Sequence, residues 1–393
     1  MSDEPAGASL WPGWRGKGRD GLAEWLPDRL PAKPAVVWRQ PLAGPGLGGL
    51  AATADYVLVP DRDLEDTADL FRCLQADSGE EAWVFRYPAV GKLDYGNSPR
   101  ATPLVDGEHV YFFGAFGHLS CVELETGTLV WQLDVRGEFD VTSKMPWGLC
   151  GSPLIADNRL IVNPGGKLAS LVALDPATGD VLWKAPGRPA GYGSFISAEL
   201  GGRKQIVGHD ALTLGGWDAA TGKRLWTVAP ENANDFNVPT PLIYRGQLLV
   251  STENNGTRMF RFGDQGKIDK TPVGECPELA PETHTPIIVG DRLFGVRHEM
   301  FCLDLKDKLK VVWTGLDAAF HSHVALVATP ERVLTFSSNG ELVLIDPQAD
   351  KFTVLGRLPL FSKAADLLSH PAFAGKHMYA RGNDEVVCVS LVG

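Results

Sequence analysis

The chain of 393 residues has no excess of positive charge: 37 Lys and Arg stand against 48 Asp and Glu, a formal net charge of −11. A polyanion binder needs a basic stripe, and none interleaved with aromatics is present. Nucleic acid and an anionic membrane surface are thereby excluded as main partners. No stretch approaches the ~18 apolar residues of a spanning helix, so no membrane insertion is expected. The opening MSDEPAGASLW lacks the regions of a signal peptide. The chain is expected to be soluble, cytoplasmic if the sequence is whole and periplasmic if a leader has been removed. Cysteine is scarce, at six. Sustained helical periodicity is missing. G-x-S-x-G, H-E-x-x-H, C-x-x-C and EF-hand spacings are missing too, and no Ser or Asp spacing marks a nucleophile with its base. Asp61 to Asp66 reads as a solvated acidic loop. GPGLGG at Gly44 to Gly49 leads into a strand, so it lacks the helix amides that cradle phosphate.

What the chain does have is a returning phrase. CLQADSGEEAW, CVELETGTLVW, ALDPATGDVLW and GWDAATGKRLW end at Trp83, Trp131, Trp183 and Trp226, each with a glycine (Gly79, Gly127, Gly179, Gly222) four residues before its Trp. Two apolar runs joined by a Ser/Thr-Gly turn make a β-hairpin. A hairpin repeating every ~40–50 residues signals a propeller. The spacings are 48, 52 and 43, and Trp313 follows after 87, which is two periods. A degenerate copy therefore lies between, RMFRFGDQGKIDK, with Gly266 in its turn. After Trp313 comes ELVLIDPQADKFTV, with Asp346 in the acidic slot and Val354 expected in the Trp slot. The chain ends in EVVCVSLVG, which stops before its Trp strand; AVVWRQPL around Trp38 supplies the missing one. TPLVDGEHVYFF, SPLIADNRLIVN, TPLIYRGQLLVS and TPIIVGDRLFGV read as inner hairpins.

The expected fold is all-β: an eight-bladed β-propeller of four-stranded antiparallel blades, the last blade closed by the N-terminal strand. Closure has a physical reason, because an open arc leaves two unburied blade faces. Residues 1–33 read as a Trp- and Pro-rich strap outside the repeat, and 34–393 as a single propeller domain. Cys73, Cys121 and Cys388 occupy one slot of different blades, with Cys302 within one residue of it. Equivalent slots on separate blades do not approach to the ~4.4–6.8 Å between Cα atoms of a disulfide, so these read as buried free thiols. Free thiols fit a reducing compartment better than an oxidising one.

The D-x-x-T-G-x-x-x-W phrase at Asp175 to Trp183 and Asp218 to Trp226 resembles the tryptophan-docking repeat of quinoprotein alcohol dehydrogenases. Those are eight-bladed propellers that bind pyrroloquinoline quinone. The same repeat occurs in PQQ-like propellers without quinone, including outer-membrane assembly lipoproteins. The opening WPGWRGKGRDGLAEWLPDRLPAKPAVVW is similar to the first segment of an uncharacterised bacterial type in this superfamily. The resemblance implies the fold over nearly the whole chain and leaves function open. It also implies that Trp131, Trp183 and Trp226 dock blades rather than stack on a quinone. The quinone-site hallmarks are absent: no adjacent cysteines occur, the chain is much shorter, and no motif carries the calcium ligands or the catalytic Asp. No cofactor is expected, and quinone least of all.

Function on a propeller gathers where the inner strands begin, and the segments leading there are aromatic and polar. Candidate ligand-binding residues are Arg62, Tyr95, Asn97, Arg100, Trp147, Tyr192, Asn237, His298 and Glu299. Such a funnel suits a polar small molecule, a saccharide or a protein segment. His284, His321, His323 and His370 fall in successive lead-in segments and are the candidate ligands of a divalent metal, with His298 or Glu299 as supplements. His321-x-His323 on an extended segment would put both rings on one side. Some propeller-fold polysaccharide lyases hold a metal in a histidine cluster of this kind. The leading expectation is a monomeric, non-enzymatic ligand- or protein-binding scaffold using its top-face funnel. The alternative is an enzyme at that funnel, either a metal-assisted saccharide lyase or hydrolase or a PQQ-type oxidoreductase.

Overall fold

The computed structural model describes residues 10–361 and 366–392. They form eight four-stranded antiparallel sheets, the blades of one closed propeller. The innermost strands of blades 1 to 8 are Ala51–Ala52, Leu104–Asp106, Leu154–Ala156, Ile196–Leu200, Leu242–Tyr244, Ile287–Val289, Val324–Thr329 and Ala372–Ala374. Seven blades follow the chain from inside to outside. Blade 8 takes its outermost strand, Ala35–Pro41, from the N-terminal side, with Trp38 opposite Cys388. The one α-helix among the described residues is the single turn Val135–Glu138, capped by the Asp134 carboxylate.

The blades are held together by the repeating phrase. In each regular turn the glycine lies at positive φ (73° at Gly79, 69° at Gly127, 78° at Gly179, 70° at Gly222). Only glycine adopts this region at no steric cost. It also has a second duty. A Cβ on Gly127 would lie 2.6 Å from the Trp83 ring, and Gly79, Gly179 and Gly222 meet Trp38, Trp131 and Trp183 in the same way. Each indole therefore lies flat on the turn of the following blade. In three of the four Nε1 also donates to the carbonyl three residues before that glycine, Trp38 to Ala76 at 3.0 Å, Trp83 to Leu124 at 2.9 Å and Trp131 to Pro176 at 2.9 Å, whereas Trp183 docks by its ring alone. Trp313 donates likewise to Ala349 of blade 7 at 3.0 Å, and Trp226 packs on Phe262 of blade 5.

Two slots differ from the sequence expectation. The docking Trp always faces one residue of the third strand, as Trp83 faces Cys73 and Trp131 faces Cys121. By that register Cys302 lies in the shared cysteine slot itself, opposite Trp313. In blade 7 the slot opposite Leu344 belongs to Gly356, not Val354, which pairs with Ile345. The bulge just before the slot is the same as in blade 1, but the turn is two residues longer: Leu344 meets Gly356 twelve positions on, where Cys73 meets Trp83 ten positions on. In blade 5 the residue in the slot, opposite Met259, is Gly274. Two of the eight seams therefore lack an indole. All six cysteines are free.

The double duty of the glycine generates a test. Trp83→Ala is expected to cost about 3–5 kcal/mol as a large-to-small core change. Gly127→Ala is expected to cost about 1–3 kcal/mol, part from the backbone and part from the ring. In a Trp83→Ala background the ring part vanishes, so the two penalties should sum to less than additive in urea unfolding. Strict additivity would show that the glycine serves the turn alone.

Candidate functional site

The axis of the propeller is filled by the strap. Trp11 pairs with Ala52 of blade 1 through both backbone groups, at 2.9 and 2.8 Å. Val105 of blade 2 donates to Pro12, and Ala23 pairs with Ala328 of blade 7. Arg15 and Arg19 take left-handed conformations, φ 57° and 55°, beside Gly16 and Gly21. This tight coil sends the two guanidinium groups apart. Arg15 donates to Thr285 and Pro286 carbonyls of blade 6, and Arg19 to Ser152 and Pro153 carbonyls of blade 3. Neither has a carboxylate within salt-bridge distance among the described residues, and burial lowers their pKa values to about 10 and about 9. Trp14 closes the top of the channel, its Nε1 on Thr240 at 2.8 Å. A belt of hydroxyls supports the mouth: Thr102 N–H donates to Ser152 Oγ, Ser152 N–H to Ser194 Oγ, and Thr240 N–H to Thr285 Oγ1.

The candidate histidines divide against this plug. His284, His323 and His370 are buried at the mouth. The rings of His284 and His323 lie 6.1 Å apart, and His370 packs between Trp11 and Trp14 at 6.0 and 5.3 Å. His284 Nε2 bonds the Val296 carbonyl, His323 Nδ1 meets Thr283 Oγ1, and His370 Nδ1 meets the Pro371 carbonyl. His321 does not join them. Its segment is not extended, because Ala318–Phe320 forms a 3-10 turn and His321 follows at φ −73°, ψ −21°. The two-residue alternation fails there and His321 faces solvent. Among the described residues no group of three or more His, Cys, Asp and Glu is placed to hold a metal ion.

The remaining candidates form two neighbourhoods of the top face. Arg62 donates to Asp66 (2.8 Å), to buried Asp69 (2.7 Å) and to the Ala89 carbonyl; Asn97 Nδ2 donates to Asp66 at 2.6 Å. Burial raises the Asp69 carboxyl to about 6 against the opposing pull of Arg62. Arg100 donates to the Asp94 and Gly96 carbonyls, both at 2.7 Å. That clamp holds Tyr95 at φ 63°, a strained state for an aromatic residue, with its side chain 74 % exposed. Tyr95 leads into a row of rings. It meets Trp147 edge-on at 5.9 Å, and Trp147 lies 4.5 Å from Tyr192 and 4.6 Å from Phe236. These four rings come from the lead-in segments of blades 2, 3, 4 and 5. Asn237 is spent on the Asp210 carbonyl, and His209, Asp235, Asn237 and Arg258 enclose a void of about 10 Å³, the room of one water. His298, at φ 62°, and Glu299 occupy a turn of blade 6 apart from this row.

Sequence reasoning missed three elements here: the plugging of the channel, Phe236, and the hydroxyl belt. The signals were present as two tryptophans and two Arg-containing turns outside the repeat, and as a Ser or Thr before proline at successive inner strands.

A family model described as outer membrane protein assembly factor BamB matches residues 31–138 and 70–315, nearly three quarters of the chain. The chain belongs to this family. It is 26 % identical to the BamB of Burkholderia pseudomallei (strain K96243) over 230 residues, 56 % of this chain and 57 % of that protein. The BamB of Shewanella oneidensis is 23 % identical over 241 residues, 56 % and 58 %. The chain thus spans little more than half the length of these curated relatives. Among solved structures, BamB from Moraxella catarrhalis aligns at TM-score 0.62 and 15 % identity, over 91 % of this chain and 99 % of that one. The quinohemoprotein alcohol dehydrogenase of Comamonas testosteroni aligns at 0.69 and 12 %, over 98 % and 81 %. These two likenesses concern the fold alone. Family membership agrees with the resemblance read from the repeat. No helix among the described residues is long and apolar enough to cross a membrane.

The mouth histidines make a pH test. Burial is the first cause of their lowered pKa values, about 4 for His284 and about 3 for His323 and His370, with Arg15 and the neighbouring rings adding to it and Glu282 opposing it at His284. A depressed base stabilises the fold fully above its unfolded pKa near 6.5, and this is lost as pH falls toward the folded value. The unfolding free energy is expected to drop between pH 6.5 and 4.5 by on the order of 2 kcal/mol per ring, read as a falling thermal midpoint. His323→Gln should flatten that limb; an unchanged slope would mean the rings already reach water.

Proposed function

We propose that this chain is a non-enzymatic scaffold that binds polypeptide segments on the aromatic row of its top face, in the service of outer-membrane protein assembly. The observation that carries the reading is the row itself, four rings from four successive blades with Tyr95 and Phe236 exposed by 74 % and 51 %. The apolar surface around it is biased the same way. The large hydrophobic residues exposed by more than half are Leu64, Val90, Tyr95, Leu168, Leu212, Phe236 and Leu316. Six of them lie in loops of this face and Leu316 ends the strand Lys310–Leu316 at it, and exposed apolar surface concentrated on one face is the mark of a protein-binding site.

The polar groups beside the row favour a polypeptide over a saccharide. Arg100 is occupied by backbone carbonyls, Asn97 by Asp66 and Asn237 by Asp210, so few free donors face the rings. Aromatic faces with few free polar partners suit apolar side chains. What supports leaving a quinone out is that Trp11, Trp14 and Arg15 take up the axis, so the residues there do not fit a planar cofactor. The relatives named for outer-membrane assembly support the role, and the reading goes with the periplasmic rather than the cytoplasmic alternative.

The test uses an unfolded outer-membrane β-barrel chain diluted from urea onto the folded protein. Trp147→Ala combined with Phe236→Ala is expected to weaken binding at least tenfold, about 1.4 kcal/mol, as for anchor residues of an interface. Leu182→Ala, on the rim, should change nothing. Equal binding by the double variant, with its thermal midpoint intact, defeats the reading.

A further inference from the structure

We infer that the seam between blades 5 and 6 is a second binding site, on the underside, for an aromatic side chain flanked by carboxylates on a partner polypeptide. The first observation is the missing indole. Gly274 stands where other blades carry the docking Trp, and blade 6 responds to the gap. The place of the turn glycine, four residues before Trp313, is taken by Leu309, which is buried at 1 % exposure. Lys308 and Leu309 both adopt positive φ, 53° and 69°. Two consecutive residues with side chains in that region are strained, which marks a place where something other than the turn decides the conformation. The turn has moved in on Gly274, where an added Cβ would lie 2.7 Å from the Lys308 carbonyl oxygen.

The second observation is that this collapse is incomplete. A cleft of about 250 Å³ remains, with Met259, Val273 and Leu305 among its lining. Clefts for drug-sized ligands run to roughly 300–1,000 Å³, so this one suits a single ring or side chain. The other seam without an indole shows the contrast. At Gly356 the strap fills the gap, with Leu30 at 3.2–3.3 Å from the position of an added Cβ. At Gly274 the Lys308 backbone closes in on the slot itself, and the cleft stays open beside it.

The third observation is charge. In a chain of net charge −11 the rim of this cleft is Arg245, Arg261, Lys306 and Lys308. Asp291 pairs with Arg245 at 2.7 Å and with Lys306. Arg261 and Lys308 have no carboxylate within 4.0 Å among the described residues. An apolar floor the size of one ring beneath two unpaired cations is complementary to an aromatic ring beside carboxylates. A partner's ring would there pack on Met259, Val273 and Leu305, beside the slot that the chain's own indoles occupy at other seams. The site lies on the face opposite the aromatic row and does not depend on the function proposed for that row.

The probe is the peptide Glu-Asp-Trp-Asp-Glu, blocked at both ends, titrated onto the full chain by ligand-observed NMR. Sub-millimolar binding is expected, with at least a tenfold loss for Lys-Lys-Trp-Lys-Lys, for the Ala-for-Trp peptide, and for the protein variant Arg261→Glu with Lys308→Glu. Val273→Trp places the chain's own indole in the cleft and should abolish binding while leaving the fold intact by circular dichroism. No binding at 5 mM, equal binding of the cationic peptide, or undiminished binding by either variant overturns the inference. Loss of top-face binding by Trp147→Ala should leave this titration unchanged.

Discussion

The indole of one blade lying on the turn of the next is the contact on which the rest of the structure depends. A blade buries little alone, since both of its faces need a neighbour. The Trp side chain supplies a large apolar area and one donor, and the following turn supplies a glycine to lie on and a carbonyl to receive the proton. The contact has a direction, from blade n to blade n+1. At the closing seam blade 8 presents an indole to blade 1 in the same direction. That indole is Trp38, from the strand Ala35–Pro41 on the N-terminal side of the chain; it lies on Gly79 and donates to Ala76. The closing seam thus repeats the contact that joins the blades before it.

The same logic explains the strap. Once the strand Ala35–Pro41 is committed to the rim of blade 8, the residues before it must reach that rim from somewhere. They come from the axis, leaving at the underside past Asp28, which pairs with Arg332 of blade 7, and Leu30, which covers Gly356. Inside the channel the strap satisfies inner-strand groups that would otherwise face a narrow pore. Buried guanidinium groups bonded only to carbonyls are costly. Their persistence as Arg15 and Arg19 reflects geometry: a short coil reaches opposite walls of the channel with forked donors that no shorter side chain matches.

Much of this was legible in the sequence, for a definite reason. The repeat encodes contacts between adjacent strands and adjacent blades, and those recur at a fixed distance along the chain. Blade count, the pairing of Trp38 with Cys388 and the shared cysteine slot follow from period alone. What was not legible lies outside the period. A turn two residues longer than in the regular blades moved the blade 7 slot from Val354 to Gly356. A 3-10 turn broke the alternation assumed for His321 and His323. The sequence marks Tyr95, Trp147 and Tyr192 as residues of a polar funnel, but their meeting with Phe236 depends on loop conformations, and loops carry no periodic signal. The filled axis was hidden for a similar reason. A strap outside the repeat has no register against which to be placed.

The indole contacts also account for where the two candidate surfaces fall. From Trp38 through Trp83, Trp131, Trp183 and Trp226, five successive seams carry an indole, and the aromatic row stands on the blades they join. A rigid base allows strain to be held in the loops above it. Tyr95 at φ 63° and Asn237 at φ 58° keep left-handed conformations because Arg100 and the Asp210 carbonyl over-determine them. The rings are thereby arranged before any partner arrives, which lowers the ordering cost of binding. The run of indoles breaks first at blade 5. There the strain appears in the turn itself, at Lys308 and Leu309, and a cleft opens beside it. One surface thus arises where the repeat is unbroken and the loops vary freely above it. The other arises where the repeat lapses and the turn that moves in on Gly274 leaves a cleft beside it.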